Sequence, residues 1–473
     1  MDLTALLVMR QEFSLLAIIV ILLIYDLFAS EKGKSYFHFT GCLLFLAHTV
    51  MGFFPIPYGE LFGGMYNNIP IANLVKSILN VGIFIVLLQS YGKLKKEDSL
   101  FKRGEYFVLM LSTLFGMYLM ISSGNFLTFY LGLEIASLPM ATLIAFDKYK
   151  NNSAEAGAKY VLSAALSSGI LLFGLSFLYA GSGTMYFTDF TPSLVHTPFC
   201  LIGFVFFVTG MFFKISMVPF HLWTADVYEG APTGITAYMS VISKGSAVFV
   251  LTVLLYKVFA PFVTQWQNIL WWVIVVTITV GNLFALRQDN LKRFLAFSSI
   301  SQAGYIMLGI MGSGQQGMTA TIYFILVYIF SNLAAFGVIA AVENASGKVK
   351  ISDYNGLYST NPKLSLLMMF ALFSLGGIPP LAGFFSKFFI FTAAASQGYY
   401  GLVLIALINT IISLYYYLLP VKAMFINKND QPIEEFQSDN YSRLASVICL
   451  VGLVILGLAS YFYEYIGSLS FGM

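Results

Sequence analysis

Charge is the first thing this sequence has little of. Only 10% of its 473 residues are Asp, Glu, Lys or Arg, while 58% are hydrophobic. A soluble domain carries about 25% charged residues, so a soluble fold is excluded. Cysteine is scarce as well. Cys42, Cys200 and Cys449 are scattered through apolar runs without CxxC spacing, which leaves no metal centre, iron–sulfur cluster or disulfide framework. The four histidines show no haem-binding pair. No GxGxxG follows a strand pattern and no Walker loop is present, so no nucleotide site is expected. Nothing points to a nucleic-acid partner. The short apolar core and small-residue cleavage site of a signal peptide are missing too, so the first apolar run reads as a retained span. A chain with none of these features is driven by an ion gradient or by a neighbouring subunit.

What is present is a succession of apolar runs, each near the roughly 20 residues that cross a bilayer as a helix. The expected fold is an all-α polytopic membrane protein of about fourteen transmembrane helices. The spans are placed at 12–30, 36–54, 70–92, 104–123, 125–146, 157–180, 199–220, 232–256, 266–286, 294–313, 318–343, 363–391, 401–424 and 442–465. With alternate connections on opposite sides, most of the 25 Lys and Arg residues fall on one side. That bias places both termini outside. The connection from His221 to Thr233 has no Lys or Arg and is placed inside by parity alone.

The chain also repeats itself. Tyr160, Ser168, Phe173 and Gly174 in span 6 align with Tyr323, Ser331, Phe336 and Gly337 in span 11. Helix breaks follow in both copies, at Val218-Pro219 in span 7 and Ile378-Pro379 in span 12. Five spans separate each matched pair, so the second copy enters the membrane from the other side, as in the inverted repeats of secondary transporters. The expected organisation is N-terminal helices over 1–103, a first five-helix repeat (spans 4–8) over 104–256, an inverted second repeat (spans 9–13) over 266–424, and a last helix over 425–473.

A charge at bilayer depth is costly and by default marks an ion or proton path. Lys214 stands just before the break at Pro219, and Lys244 lies in the next apolar run. Lys387 follows the second break, Gly376-Gly377-Ile378-Pro379-Pro380. Glu134, in FLTFYLGLEIASLP, is the one carboxylate near the middle of a span. Low dielectric disfavours a lysine's charged form and a nearby carboxylate restores it. At about 4 Å such a pair interacts by roughly 4 kcal/mol, about three pKa units, so a change in separation can move a proton. A static ion pair is the plainer reading. Pro219 removes a backbone donor, and the carbonyls it frees near Ile215 need water or a side chain. His221, directly after the break, can relay protons near neutral pH or serve as a hydrogen-bonded structural residue. Lys76 reads as snorkelling from the outer end of span 3, His48 as structural, and His38 and His196 as peripheral. Ser298, Ser299, Ser301 and Gln302 fit water along the second repeat or helix–helix hydrogen bonds equally.

Four strings carry a family resemblance: YLGLEIASLP (130–139), FKISMVPFHLWTADVYEGAP (213–232), GNLFALRQDNLKRFLAFSSISQAGY (281–305) and GGIPPLAGFFSKF (376–388). They resemble the antiporter-like membrane subunits of respiratory complex I. The resemblance implies proton translocation driven by quinone reduction elsewhere in the complex. It makes Glu134 and Lys214 the first switch, Lys244 the centre of a hydrophilic axis and Lys387 the residue near the exit, with His221 matching a family histidine. It also implies that this chain binds no cofactor. NADH, FMN, iron–sulfur clusters and quinone would belong to partner subunits. The implied neighbours are an antiporter-like subunit M and small membrane-arm subunits, in a bacterial inner membrane. One departure is Ala225, where the family pattern has proline. A second reading shares the fold and the Glu–Lys pair: a subunit of a Na⁺/H⁺ (Mrp-type) antiporter without redox partners.

Overall fold

Hydrocarbon offers a backbone no hydrogen bonds, so apolar runs of this length close their own as helices. The computed structural model describes residues 7–96, 102–193 and 198–472, apart from the side chains at 31, 32 and 191–193. His196 and the side chain of Lys32 lie outside the described residues. The helices are α1 (Arg10–Phe28), α2 (Glu31–Gly52), α3 (Pro70–Leu94), α4 (Arg103–Ile121), α5 (Phe126–Ile144), α6 (Asn151–Ser182), α7 in two halves (Pro198–Ile215 and Leu222–Gly230), and α8 (Thr233–Val258). There follow α9 (Val263–Ala285), α10 (Leu291–Ile310), α11 (Gln315–Ser346), α12 in two halves (Pro362–Gly376 and Ala382–Ser396), α13 (Tyr400–Phe425), α14 (Asn440–Leu458) and the short α15 (Tyr461–Leu469). Among the described residues, 11 helices are long and apolar enough to cross a membrane. Of α1–α14, α2 and α10 are more polar and α12 is split into 15-residue halves, so the expected count of about fourteen needs those three as well.

The structure adds one element that the all-helical reading missed. A β-hairpin, Gly59–Leu61 (β1) against Tyr66–Asn68 (β2), covers the ends of the N-terminal helices. Its turn is made by Phe62, Gly63 and Gly64, all with positive φ.

The connections gather on two faces. On one, Asn67 N donates to Ser122 O (2.8 Å), Gly124 N to Met65 O (2.9 Å) and Phe187 N to Gly124 O (3.0 Å). This face has few lysines. The opposite, lysine-rich face carries ion pairs: Lys93–Asp147 (2.5 Å), Lys159–Asp226 (2.7 Å), Arg293–Asp226 (2.7 Å) and Arg293–Glu229 (3.0 Å). The second half of α7 therefore meets the lysine-rich face with acids of its own.

Asp147, in the α5–α6 connection, makes a testable case. Burial alone would push its carboxyl up, but Lys93 and then Lys150 outweigh burial and hold it below the ordinary value. A depressed carboxylate contributes stability that is fully present above its unfolded pKa of about 3.9 and is lost as pH falls through the folded value. Asp147→Asn is expected to lower thermal stability at neutral pH and to flatten its fall between about pH 5 and 3. Thermal unfolding of the detergent-solubilised protein across that range checks this.

The repeat is plain in the helix ends. α6 and α11 both have 32 residues, and each stops at a glycine in the left-handed conformation, Gly183 and Gly347, both at φ 71°. Asn125 and Asn290 cap α5 and α10 with their side chains, and each forms an isolated bridge to the segment after α6 or α11, Asn125 to Tyr186 and Asn290 to Lys350. α8 and α13 have 26 residues each. Counted from the helix ends, the counterpart of Ser331 is Ser167 rather than the Ser168 of the sequence alignment. Ser167 Oγ donates to Gly210 O in α7, and Ser331 Oγ pairs with Ser374 Oγ in α12.

The core lies between the repeats. α8 is 94% buried along its most apolar stretch, whereas α6 is 28% buried and turns mostly outward. Polar residues on α8, α10 and α11 are thus enclosed by protein.

Candidate functional site

The break in α7 sets the first position. The helix ends at Ile215 because Ser216 takes a left-handed conformation (φ 68°) and Met217 N reaches back to Phe212 O (2.9 Å). The second break has the same form: Gly377 is left-handed (φ 87°) and Ile378 N bonds Phe373 O (2.9 Å). Such endings satisfy terminal carbonyls that a straight stop would leave open.

Lys214 stands just before the first break and is 8% exposed. Its Nζ donates to Ser137 Oγ (2.7 Å) and Tyr160 Oη (3.3 Å). Glu134 lies one helical turn before Ser137 and accepts from Ser168 Oγ, which in turn contacts Tyr130 Oη at 3.0 Å. All four of Glu134, Ser137, Ser168 and Lys214 line one cavity of about 60 Å³, a volume that admits water. The structure thus brings the expected acid and base into one cavity, but no direct ion pair joins them. Serine and tyrosine hydroxyls stand between, and the 4 Å contact assumed from sequence is replaced by a hydroxyl-lined gap.

Lys244 is 3% exposed and follows a π-helical turn, Met239–Ser243. Such turns recur at functional sites. Its Nζ donates to Ser299 Oγ (2.6 Å) on α10 and lies 5.5 Å above the Tyr228 ring. Lys387, 4% exposed, donates to Gly376 O (3.2 Å), the last carbonyl of the first half of α12, and sits 4.9 Å from the Tyr305 ring. The carbonyl end of a helix favours a cation. Among the described residues, none of Lys214, Lys244 and Lys387 forms an ion pair.

The serine-rich stretch of α10 divides its duties. Ser299 holds Lys244, while Ser298 and Gln302 bond Tyr417 (2.5 and 2.9 Å). Ser301 Oγ, His221 Nδ1, Ser216 Oγ, Thr224 Oγ1, Tyr328 Oη and Asn332 Oδ1 are buried without a protein partner. His221 is buried at the start of the second half of α7. Ala225 is buried within that half, which forms a helix without the proline of the family pattern.

Two sequence readings are corrected. Lys76 does not snorkel: it is fully buried and pairs with Glu12 at 2.5 Å. The carboxylate comes from α1, far away in sequence, so spacing gave no sign of it. His38 is not peripheral: it is buried among the rings of Tyr91, Phe107 and Tyr441 (4.9, 5.2 and 5.2 Å), which α3, α4 and α14 bring over it. His48 is buried and bonded to Ser14 and Tyr118. The tyrosines beside the lysines, Tyr160, Tyr228 and Tyr305, were missed as site residues. Tyr160 alone left a trace, as a member of the repeat.

The family profile described as NADH:quinone oxidoreductase/Mrp antiporter, TM, matches residues 123–413. NADH-quinone oxidoreductase subunit N of Azobacteroides pseudotrichonymphae genomovar. CFP2 is 55% identical, over 100% of this chain and 99% of that protein. A chain of respiratory complex I from Thermus thermophilus, solved with bound aureothin, superposes with a TM-score of 0.79 at 28% identity, covering 98% of this chain and 100% of that one. A chain of the Mrp complex from Dietzia sp. DQ12-45-1b shares the fold at 20% identity, with a TM-score of 0.87 over 99% of this chain and 97% of that one. By whole-length identity and profile, the chain belongs to the NADH-quinone oxidoreductase subunit N family, within the antiporter-like membrane subunits.

Proposed function

We propose that this chain is a proton-translocating membrane-arm subunit of NADH-quinone oxidoreductase. Its relay runs through Glu134, Lys214, Lys244 and Lys387, with His221 at the first break. The observation that carries this reading is three lysines buried at bilayer depth, each held by hydroxyls, carbonyls or rings instead of a carboxylate. A buried charge without a counter-ion is costly and is retained where it moves ions. Each amine can pass its proton to a hydroxyl or water and take another, so the row can hand protons along without a net chemical change. NADH, FMN, the iron–sulfur clusters and quinone belong to partner subunits, which include a neighbouring antiporter-like subunit M. The lysine-rich face is cytoplasmic by the positive-inside rule, in a bacterial inner membrane, and both termini lie outside. The proposed domains remain 1–103, 104–256, 266–424 and 425–473.

Lys387→Ala and Lys244→Ala in the assembled complex test the relay. NADH-driven acidification of inverted vesicles is expected to fall severalfold in each, and unchanged pumping in both would remove the relay. The Mrp-like fold supports a second reading, a Na⁺/H⁺ antiporter subunit. Sodium-dependent proton exchange by membranes that do not oxidise NADH would favour it.

A further inference from the structure

The family profile begins at residue 123, yet a dense cluster of buried titratable groups lies before it, where α1–α4 meet beneath the β-hairpin. We propose that this cluster is a second proton-exchange site, centred on Glu12 and Lys76 and opening on the lysine-poor face. The proposal rests on the reading that the chain moves protons.

The site is built from two linked parts. Lys76 is fully buried and Glu12 is 2% exposed, and they meet at 2.5 Å. Lys76 Nζ also lies 3.4 Å from Tyr66 Oη of the hairpin and 5.4 Å from the centre of the Tyr118 ring. The second part is a chain of hydrogen bonds. Ser14 Oγ contacts His48 Nδ1 (2.9 Å), His48 Nε2 contacts Tyr118 Oη (3.0 Å), and Tyr118 Oη donates to Asn80 Oδ1 (2.5 Å). Tyr118 belongs to both parts: its ring lies against the ammonium and its hydroxyl joins the histidine chain.

A static pair that merely clamps two helices needs its remaining lone pairs satisfied. This one leaves Glu12 Oε2 without a partner, together with Gln11 Oε1, Asn73 Nδ2, Asn80 Nδ2 and Ser122 Oγ. Buried polar atoms are normally bonded to protein or to water, and this many in one place suit a hydrated pocket. The lysine-poor face is close by. Glu12 lies in the first turn of α1, and Lys76 stands about 9 Å along α3 from Pro70 at 1.5 Å per residue. On the inner side, Tyr238 of α8 contacts Thr113 Oγ1 (2.5 Å) and Met117 Sδ (3.9 Å) on α4, beside Tyr118.

The step balances without any further reactant. The Lys76 ammonium gives its proton to the Glu12 carboxylate, leaving an amine and a carboxylic acid. The acid releases a proton to water on the lysine-poor face, and the amine takes up another from water at the end of the pocket lined by Asn80 and the Tyr118 hydroxyl. One proton enters and one leaves.

The test uses the whole complex in inverted membrane vesicles, with NADH oxidation and vesicle acidification followed together. Glu12→Gln with Lys76→Met removes both charges at similar volume, so no lone charge is left buried. Tyr118→Phe keeps both charges and cuts the histidine chain. Both variants are expected to lose protons pumped per NADH oxidised. Parental proton yield in either assembled variant overturns the proposal, because that is what a static pair gives. Should the double variant fail to assemble, Tyr118→Phe decides alone. Lys214→Ala and Glu134→Ala measured alongside separate the two readings. If Lys214→Ala and Glu134→Ala both pump normally, the proposed relay falls. If they are crippled while the cluster variants pump normally, only this inference falls.

Discussion

Lys214→Ala and Glu134→Ala are each expected to cripple quinone reductase turnover and proton pumping together, by roughly 10²-fold, the low end for removing a proton-transfer group. Lys214 reaches Ser137 and Tyr160, and Glu134 reaches Ser168, around one small cavity. Either substitution leaves hydroxyls facing a cavity that has lost its only acid or its only base. Lys214→Arg sharpens the test. Arginine keeps the charge but cannot release its proton, so this variant is expected to assemble and still fail to pump. NADH oxidation and acidification of inverted vesicles are the measurements, and full pumping in both alanine variants would sink the relay.

Gly116→Val and Gly281→Val are expected to abolish accumulation of the assembled complex. A Cβ at Gly116 would come within 2.4 Å of Ala136 N, and one at Gly281 within 2.7 Å of Ser301 N. These are backbone contacts between neighbouring helices, α4 against α5 and α9 against α10, so no side chain can turn away. Overpacking against movable side chains already costs about 1–3 kcal/mol; against backbone the helices must separate. Small residues at such crossings are how membrane helices approach closely. Gly169→Ala, which meets nothing within 4 Å, is the control and should assemble normally. Blue-native electrophoresis of the membranes reads the outcome, and a normal complex band for both valine variants would refute this account.

The spans, both helix breaks, the inverted repeat and the three central lysines were legible because each leaves a local mark: an apolar run, a proline, a charge in the wrong solvent. Pairings between distant helices left none. Glu12 sits at a helix start, where an acid needs no explanation, and only the packing of α1 against α3 gives it to Lys76. Likewise the spacing of Glu134 and Lys214 said nothing of the hydroxyls between them, which depend on how α5, α6 and α7 pack. The hairpin at 59–68 was missed because three-residue strands are too short for an alternating pattern to show.

The two breaks carry their lysines on opposite sides. Lys214 ends the first half of its helix, about 24 Å along α7 from Pro198 on the lysine-poor side, whereas Lys387 lies about 14 Å from the end of α12 at Ser396 on that same side. The repeat's symmetry is therefore broken along the membrane normal. A charge carried from one lysine to the other crosses part of the transmembrane field. Its equilibrium between the two positions must respond to membrane voltage, by some fraction of the roughly 2.3 kcal/mol per charge that each 100 mV supplies.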